Sequence, residues 1–234
     1  MLSRVEANAE QYKSTVPSFL CDEHITSQEL HDGKLKHATT ADALFRVTRS
    51  SSPGAPPDES RQVTSIDGKP STEKKLKLPI TFSGGFGGAL AKYLSAERHQ
   101  CFDYQPDPAY TGPAGTNGYT FIPRPAAANE PVCASILPGT TGKFVVDTTS
   151  MQVLHIERTV PHPVGRDHGV LGTVAVDFAP VTLNGAVFRL PRTISAFTSE
   201  TPKTDAFQFT AQYTHYHRFA ASSTILPVTT SPPQ

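Results

Sequence analysis

Between residues 142 and 219 the chain reads as five β-rich runs, at 142–147, 153–160, 170–178, 186–199 and 205–219. No other feature constrains the fold as strongly. Thr-Thr-Ser, Pro-His-Pro, Leu-Asn-Gly and Pro-Lys-Thr connections separate the runs. Short polar turns between alternating strands build a sheet of consecutive antiparallel neighbours. No catalytic motif lies along this stretch.

The N-terminal half adds two helices and further strands. Leu2, Val5, Ala9, Tyr12 and Val16 step by three or four, which predicts an amphipathic helix that Pro17 stops. Residues 19–30 alternate Phe19, Cys21, Glu23, Ile25 and predict a strand. The His31-Asp32-Gly33-Lys34 turn returns the chain as a second strand over 35–49, with Ala43, Phe45 and Val47 on one face. Residues 50–60 are a Pro/Ser loop. A third strand over 61–66 follows, then the Asp67-Gly68 turn and a run over 74–78 that leads into a connection. Ser83-Gly84-Gly85 opens a short helix that carries Phe86, Leu90, Tyr93 and Leu94. Shorter strands are expected over 100–104, 119–123 and 132–137.

This order makes the chain α+β. The expected architecture is a strongly curved antiparallel sheet, a half-barrel of about ten strands, with the N-terminal helix and the second short helix covering its concave face. One domain spans 1–226, and the Pro/Thr-rich tail, 227–234, is disordered by composition.

Composition limits the function classes. Of 234 residues, 21 are Lys or Arg and 21 Asp or Glu, so formal net charge is zero and nothing recruits nucleic acid. No apolar run approaches the roughly 18 residues needed to span a bilayer. The first residues, MLSRVEANAE, lack a signal-peptide core. Either the chain is cytosolic or a leader has been removed. Cys21, Cys101 and Cys133 form no C-x-x-C pair, which excludes a zinc knuckle or thioredoxin motif. Cys101 and Cys133 flank a long loop and are the expected disulfide; three buried thiols are the alternative.

Candidate chemistry is sparse. Ser83-Gly84-Gly85-Phe86-Gly87-Gly88 is glycine-rich before a helix, but no Gly-Lys-Ser/Thr follows it, so it reads as a close-approach loop. His215-x-His217 on a strand places two imidazoles on one face, and His24, His155, Asp103 or Glu157 would have to complete a metal site. Pro161-His162-Pro163, Asp167 and His168 form a polar loop with no nucleophile motif beside it. No enzyme and no cofactor is expected. The aromatic supply is more suggestive. In a half-barrel, Phe82, Phe86, Leu90, Tyr93 and Phe102 fall where a cavity-closing helix meets the sheet, and an apolar cavity with few polar anchors suits a hydrophobic ligand.

Several stretches carry a family resemblance. Pro-Ser-Phe-Leu-Cys-Asp-Glu after the first helix, Ile66-Asp67-Gly68-Lys69 and Phe82-Ser83-Gly84-Gly85-Phe86-Gly87 resemble a set of uncharacterised secreted proteins of soil acidobacteria. So do Gly142-Lys143-Phe144-Val145-Val146-Asp147, Val153-Leu154-His155-Ile156-Glu157-Arg158, Val176-Asp177-Phe178, Gly185-Ala186-Val187-Phe188-Arg189-Leu190-Pro191 and Tyr216-His217-Arg218-Phe219. That set is similar to the outer-membrane lipoprotein-carrier superfamily of LolA and LolB type, half-barrels that hold acyl chains. The resemblance implies a periplasmic or secreted protein with its signal removed, and a lipid or other hydrophobic small molecule as ligand. It transfers no ligand-binding residue position by position. A cell-envelope module that binds another protein, its cavity filled by side chains, is the alternative; a metal-dependent enzyme using His215 and His217 is the weaker one.

Overall fold

The architecture follows from period-two burial along the strands and period-3.6 burial along the first helix. In a computed structural model of the protein, helix α1 spans Leu2–Thr15 and buries Val5 and Ala9, with Leu2, Tyr12 and Val16 packed on the same core. Pro17 has no N–H with which to continue the helix. Among the described residues eleven strands follow: β1 (Phe19–His31), β2 (Lys34–Thr48), β3 (Asp58–Ile66), β4 (Lys69–Pro70), β5 (Phe102–Pro106), β6 (Thr116–Pro123), β7 (Thr141–Asp147), β8 (Val153–Pro161), β9 (Val170–Leu183), β10 (Ala186–Glu200) and β11 (Asp205–Arg218). Helix α2 (Gly88–Leu94) stands between β4 and β5. The structure describes residues 2–49, 57–72, 76–82, 86, 88–136, 139–161, 170–200 and 205–219. Residues 50–56 of the Pro/Ser loop, the glycines at 84, 85 and 87, the loop holding His162, Asp167 and His168, and the tail from 227 lie outside them.

All strands form one antiparallel sheet in the order β4-β3-β2-β1-β11-β10-β9-β8-β7-β6-β5. It is curved and unclosed, the expected half-barrel. The central pairing is non-local: Phe19 sits opposite Arg218 and His31 opposite Asp205, so β11 closes onto β1. Bulges bend the strands where the register shifts, between Leu20 and Asp22, Asp42 and Ala43, Val145 and Val146, and Pro191 and Thr193. Pro191 is tolerated inside β10 because it stands at such a bulge.

Because β4 and β5 are opposite edges, the chain from Ser71 to Cys101 must cross from one edge to the other. It does so over the buried face, with Leu76, Leu78, Ile80 and Phe82 packed on the core. The Ser27 hydroxyl pins the crossing, donating to the Ile80 carbonyl (2.8 Å) and accepting the Ile80 N–H (3.1 Å). A 3-10 turn, Ala96–Cys101, then ends against the Cys101–Cys133 disulfide, whose Cα atoms are 5.5 Å apart. Cys21 is a buried free thiol.

Three local expectations need correction. Residues 132–136 of the expected 132–137 strand form none: Pro131–Cys133 is a 3-10 turn, because Pro131 presets φ and has no N–H for a ladder. Residues 76–78 of the expected 74–78 run are irregular, and the hairpin partner of β3 is the two-residue β4. Phe86 precedes α2 instead of lying within it.

Candidate ligand-binding groove

The apolar face of α1 lies over the sheet but does not seal against all of it. Arg4 donates to the Thr149 carbonyl (3.2 Å) and Asn8 to the Ser150 carbonyl (3.0 Å), tying the helix to the β7–β8 turn. Glu6 pairs with His99 on the 3-10 turn. Tyr12 donates its hydroxyl to the Phe86 carbonyl and sets its ring edge-on to Phe178, centroids 6.3 Å apart. Burial pushes the Tyr12 phenol far up, so it stays a donor at any physiological pH. Between these anchors, α1, α2 and strands β8–β10 leave a groove with a cavity of about 110 Å³. Ala9, Tyr12, Val16, Leu90, Val153, Phe178 and Phe188 supply its apolar lining. Gln11, Gln152 and Arg189 are polar members, and Val187, 66% exposed, stands at the lip.

Most of the aromatic side chains singled out in the sequence stand elsewhere. Phe86 is buried and stacks on Phe45 (5.0 Å) and edge-on against Tyr213 (4.7 Å). Tyr93 stacks on Phe121 (5.3 Å) and tilts against Phe102 (5.7 Å). Phe102 is fully buried and meets Phe121 edge-on. Phe82 is half-buried against the core, and its carbonyl accepts from Arg61 at 3.5 Å. These rings fill the middle of the concavity. Of the five ligand candidates, Leu90 alone lines the groove among the described residues.

A second polar feature lies inside the core. Glu23, in the inward register of β1, has a fully buried side chain. Its carboxylate accepts from Arg61 Nη2 (2.6 Å), from Arg61 Nε, and from the Tyr213 hydroxyl (2.9 Å). The Arg61 guanidinium also lies 5.5 Å from the Phe45 ring centroid. Burial and the Glu23 charge push the Tyr213 phenol up, so it too remains a donor. Burial, then Glu23 and Asp22, raise the Cys21 thiol, which keeps it an unreactive thiol near neutral pH.

The two candidate metal ligands are separated from any third. His215 sits in the bulge opposite Cys21 with φ of 50°, which breaks the alternation that would have aligned it with His217. Its Nδ1 instead pairs with Asp22, at 2.9 Å. His24 pairs with Asp42 and His155 with Asp177, each at 2.7 Å. Among the described residues no three His, Cys, Asp or Glu side chains gather closely enough to hold a metal ion. No helix among them is long and apolar enough to cross a membrane.

The sequence pointed to α1 through its stripe, but not to the groove. Tyr12, Val153, Phe178 and Phe188 read as ordinary core positions, because only the β9–β10 pairing and the seating of α1 bring them together. The weak signal was Ala186-Val187-Phe188, an apolar run directly after a hairpin turn.

Comparison with known proteins gives fold-level likeness alone. A LolA superfamily protein from Nitrosomonas europaea is similar over 94% of both chains, with 9% identity and a TM-score of 0.36. A DUF1329 family protein from Desulfovibrio piger is similar over 95% of both chains, with 8% identity and a TM-score of 0.41. No family model and no curated protein matches the chain. Likeness at this level carries no functional argument, so function rests on the groove itself.

Proposed function

We propose that the protein is an extracytoplasmic, non-catalytic carrier that binds a lipid or another hydrophobic molecule in the groove between α1 and β8–β10. The groove carries this reading: a concave recess between helix and sheet, with Ala9, Val16, Leu90, Val153, Phe178 and Phe188 as its apolar part and Asn8, Gln11, Thr15, Gln152 and Arg189 as its polar part. Leu90 contacts the ligand directly, while Phe82, Phe86, Tyr93 and Phe102 form the packed wall behind. Burial of apolar ligand surface drives binding at about 25 cal/mol per Å², less the cost of ordering. The Cys101–Cys133 disulfide supports a periplasmic or secreted location, since such bonds persist in oxidising compartments. Native mass spectrometry of protein purified without detergent, followed by organic extraction, tests the proposal. A lipid released at unit stoichiometry is the expected result; an apo mass with no uptake of added fatty acids or phospholipids would remove it.

One observation favours a second reading, an envelope protein-interaction module. The centre of the concavity is filled by side chains, and among the described residues the edge strand β5 pairs with β6 alone. Capture of an envelope protein that is lost on placing a proline in β5, with no lipid recovered, would select it.

A further inference from the structure

Away from the groove, the concave face gathers positive charge. Arg158 lies in the inward register of β8: it faces Gly142 on β7, whose other neighbour is Phe121, and Val174 on β9. Gly142 has no side chain, so the Phe121 ring lies across it, and Tyr93 of α2 stacks on that ring at 5.3 Å. Two cations close on Tyr93. Arg158 Cζ stands 6.0 Å and Lys92 Nζ 5.9 Å from its ring centroid. Arg98, on the 3-10 turn after α2, is held through Nη1 by the Val132 carbonyl and by the Ser135 hydroxyl at 3.1 Å. Burial, then the charges of Arg158 and Arg98, hold the Lys92 ammonium below the ordinary lysine value.

Among the described residues, none of these three cations forms an ion pair. Glu6 pairs instead with His99, Asp103 with Arg124 at 2.6 Å and Glu157 with Lys143 at 3.2 Å, while Glu97 is exposed. Tyr93 is 2% exposed, yet its hydroxyl has no hydrogen-bond partner among the described residues. Burial raises that phenol, and the Arg158 charge opposes the rise. Buried hydroxyls are normally paired. A phenol, an ammonium and a guanidinium side by side are donors without an acceptor. A tetrahedral dianion supplies the acceptors: the Arg158 fork can take two oxygens, and Lys92 acts as a point charge.

We infer that Lys92, Arg158 and the Tyr93 hydroxyl, with Arg98 beside them, form a binding site for a phosphate group, carried by a small phosphorylated molecule or by a lipid headgroup. The site does not depend on the carrier reading of the groove.

Calorimetric titration of the full chain with inorganic phosphate, glycerol 3-phosphate and acetate at constant ionic strength tests it. The two phosphates should bind at unit stoichiometry, about tenfold tighter than acetate. K92Q and R158Q should each weaken phosphate about tenfold, and Y93F, which keeps the ring stack, about threefold. Removing a cation that has no counter-ion should leave the urea midpoint unchanged or raise it, so K92Q reports on a folded protein. Flotation with phosphatidylcholine vesicles, with and without phosphatidic acid, separates the two sources. Binding to the phosphatidic acid vesicles that K92Q/R158Q abolishes, with soluble phosphates silent, assigns the phosphate to a lipid; binding of the soluble phosphates alone assigns it to a small molecule. Equal affinity for acetate and phosphate, binding that K92Q/R158Q retains, or no binding of phosphate in either form would overturn the site. Each of these outcomes leaves the groove untouched.

Discussion

Arg61 and Glu23 form a two-point ion pair in the apolar interior, with Arg61 reaching from β3 over β2 to a carboxylate that no solvent touches. Tyr213 completes the carboxylate's partners from β11, so one acid ties three elements together. A buried pair of this kind is costly to break from one side only. Arg61→Ala leaves an uncompensated buried charge and should cost about 3–5 kcal/mol. The double change Glu23→Leu with Arg61→Met removes both charges and should cost clearly less. Urea midpoints of the three proteins check this; a double variant as unstable as Arg61→Ala would refute the account.

Gly142 is required for packing, not for a turn. Its cross-strand partner is Phe121, whose fully buried ring occupies the space a Cβ at 142 would take. That Cβ would also meet the Glu157 carbonyl oxygen at 2.6 Å, which is backbone and cannot swing aside. Gly142→Ala should therefore destabilise by about 1–3 kcal/mol through overpacking. Pairing it with Phe121→Leu should relieve only part of that cost. Thermal or urea denaturation measures both.

The disulfide closes a loop of 32 residues that includes β5 and β6. Loop-closure entropy assigns it about 3–4 kcal/mol. The Cys101→Ser/Cys133→Ser variant should lose that stability, with the edge strand β5 exchanging its amide protons first. Cys21 should remain unalkylated by iodoacetamide in the native protein, because burial both blocks it and raises its thiol. Peptide mapping after labelling reads both thiol states.

The stretch from β7 to β11 was legible because local rules decide it: alternation fixes which side chains point inward, and Asn184 and Gly185 adopt the positive φ of the hairpin turn. Glu23 was also legible as inward, from its place between Cys21 and Ile25. Its partner was not, since Arg61 meets it through the β1–β2–β3 register, a relation set by long-range pairing. The 132–137 error has the same origin as the groove's invisibility. Val132 and Ile136 are apolar because they pack beneath a disulfide-bound turn, and apolarity alone does not distinguish that from a strand. His215 misled through a bulge, which inserts one residue and which no period-two reading anticipates.

Two His–Asp pairs give opposite limbs of the pH profile. The hydrogen bond from His155 holds Asp177 below the ordinary aspartate range. A lowered folded-state pKa stabilises above the ordinary value of about 3.9 and loses that contribution as pH falls through the folded one. Asp177→Asn should thus cost at neutral pH, by roughly 0.2–1 kcal/mol for so exposed a pair, and cost nothing at strongly acid pH. His31 is raised by its hydrogen bond to Asp205 and by Asp32. Its contribution is present below the ordinary histidine range and fades as pH rises through the folded value, so His31→Gln should alter the stability profile on the acid side of neutrality and leave the alkaline side unchanged. Urea midpoints across pH resolve both signs.

Val187 offers a direct report on the groove. The chain contains no tryptophan, so the V187W substitution at the lip introduces the protein's sole indole. Val187 is 66% exposed, which makes the larger side chain tolerable there. Bromine quenches indole fluorescence only at near contact, so a chain-brominated fatty acid should quench V187W saturably, at unit stoichiometry. Leu35, 58% exposed on β2 and absent from the groove lining, provides the control. L35W should be left nearly unquenched over the same titration. Phe86→Leu in the V187W background should lower stability, through the lost ring contacts with Phe19, Phe45 and Tyr213, yet leave the quenching midpoint within about twofold, since Phe86 is core and not lining. Equal quenching at 35 and 187 would mean adsorption over the whole surface, and a midpoint that moved with Phe86 would place the ligand in the centre of the concavity instead of beneath α1.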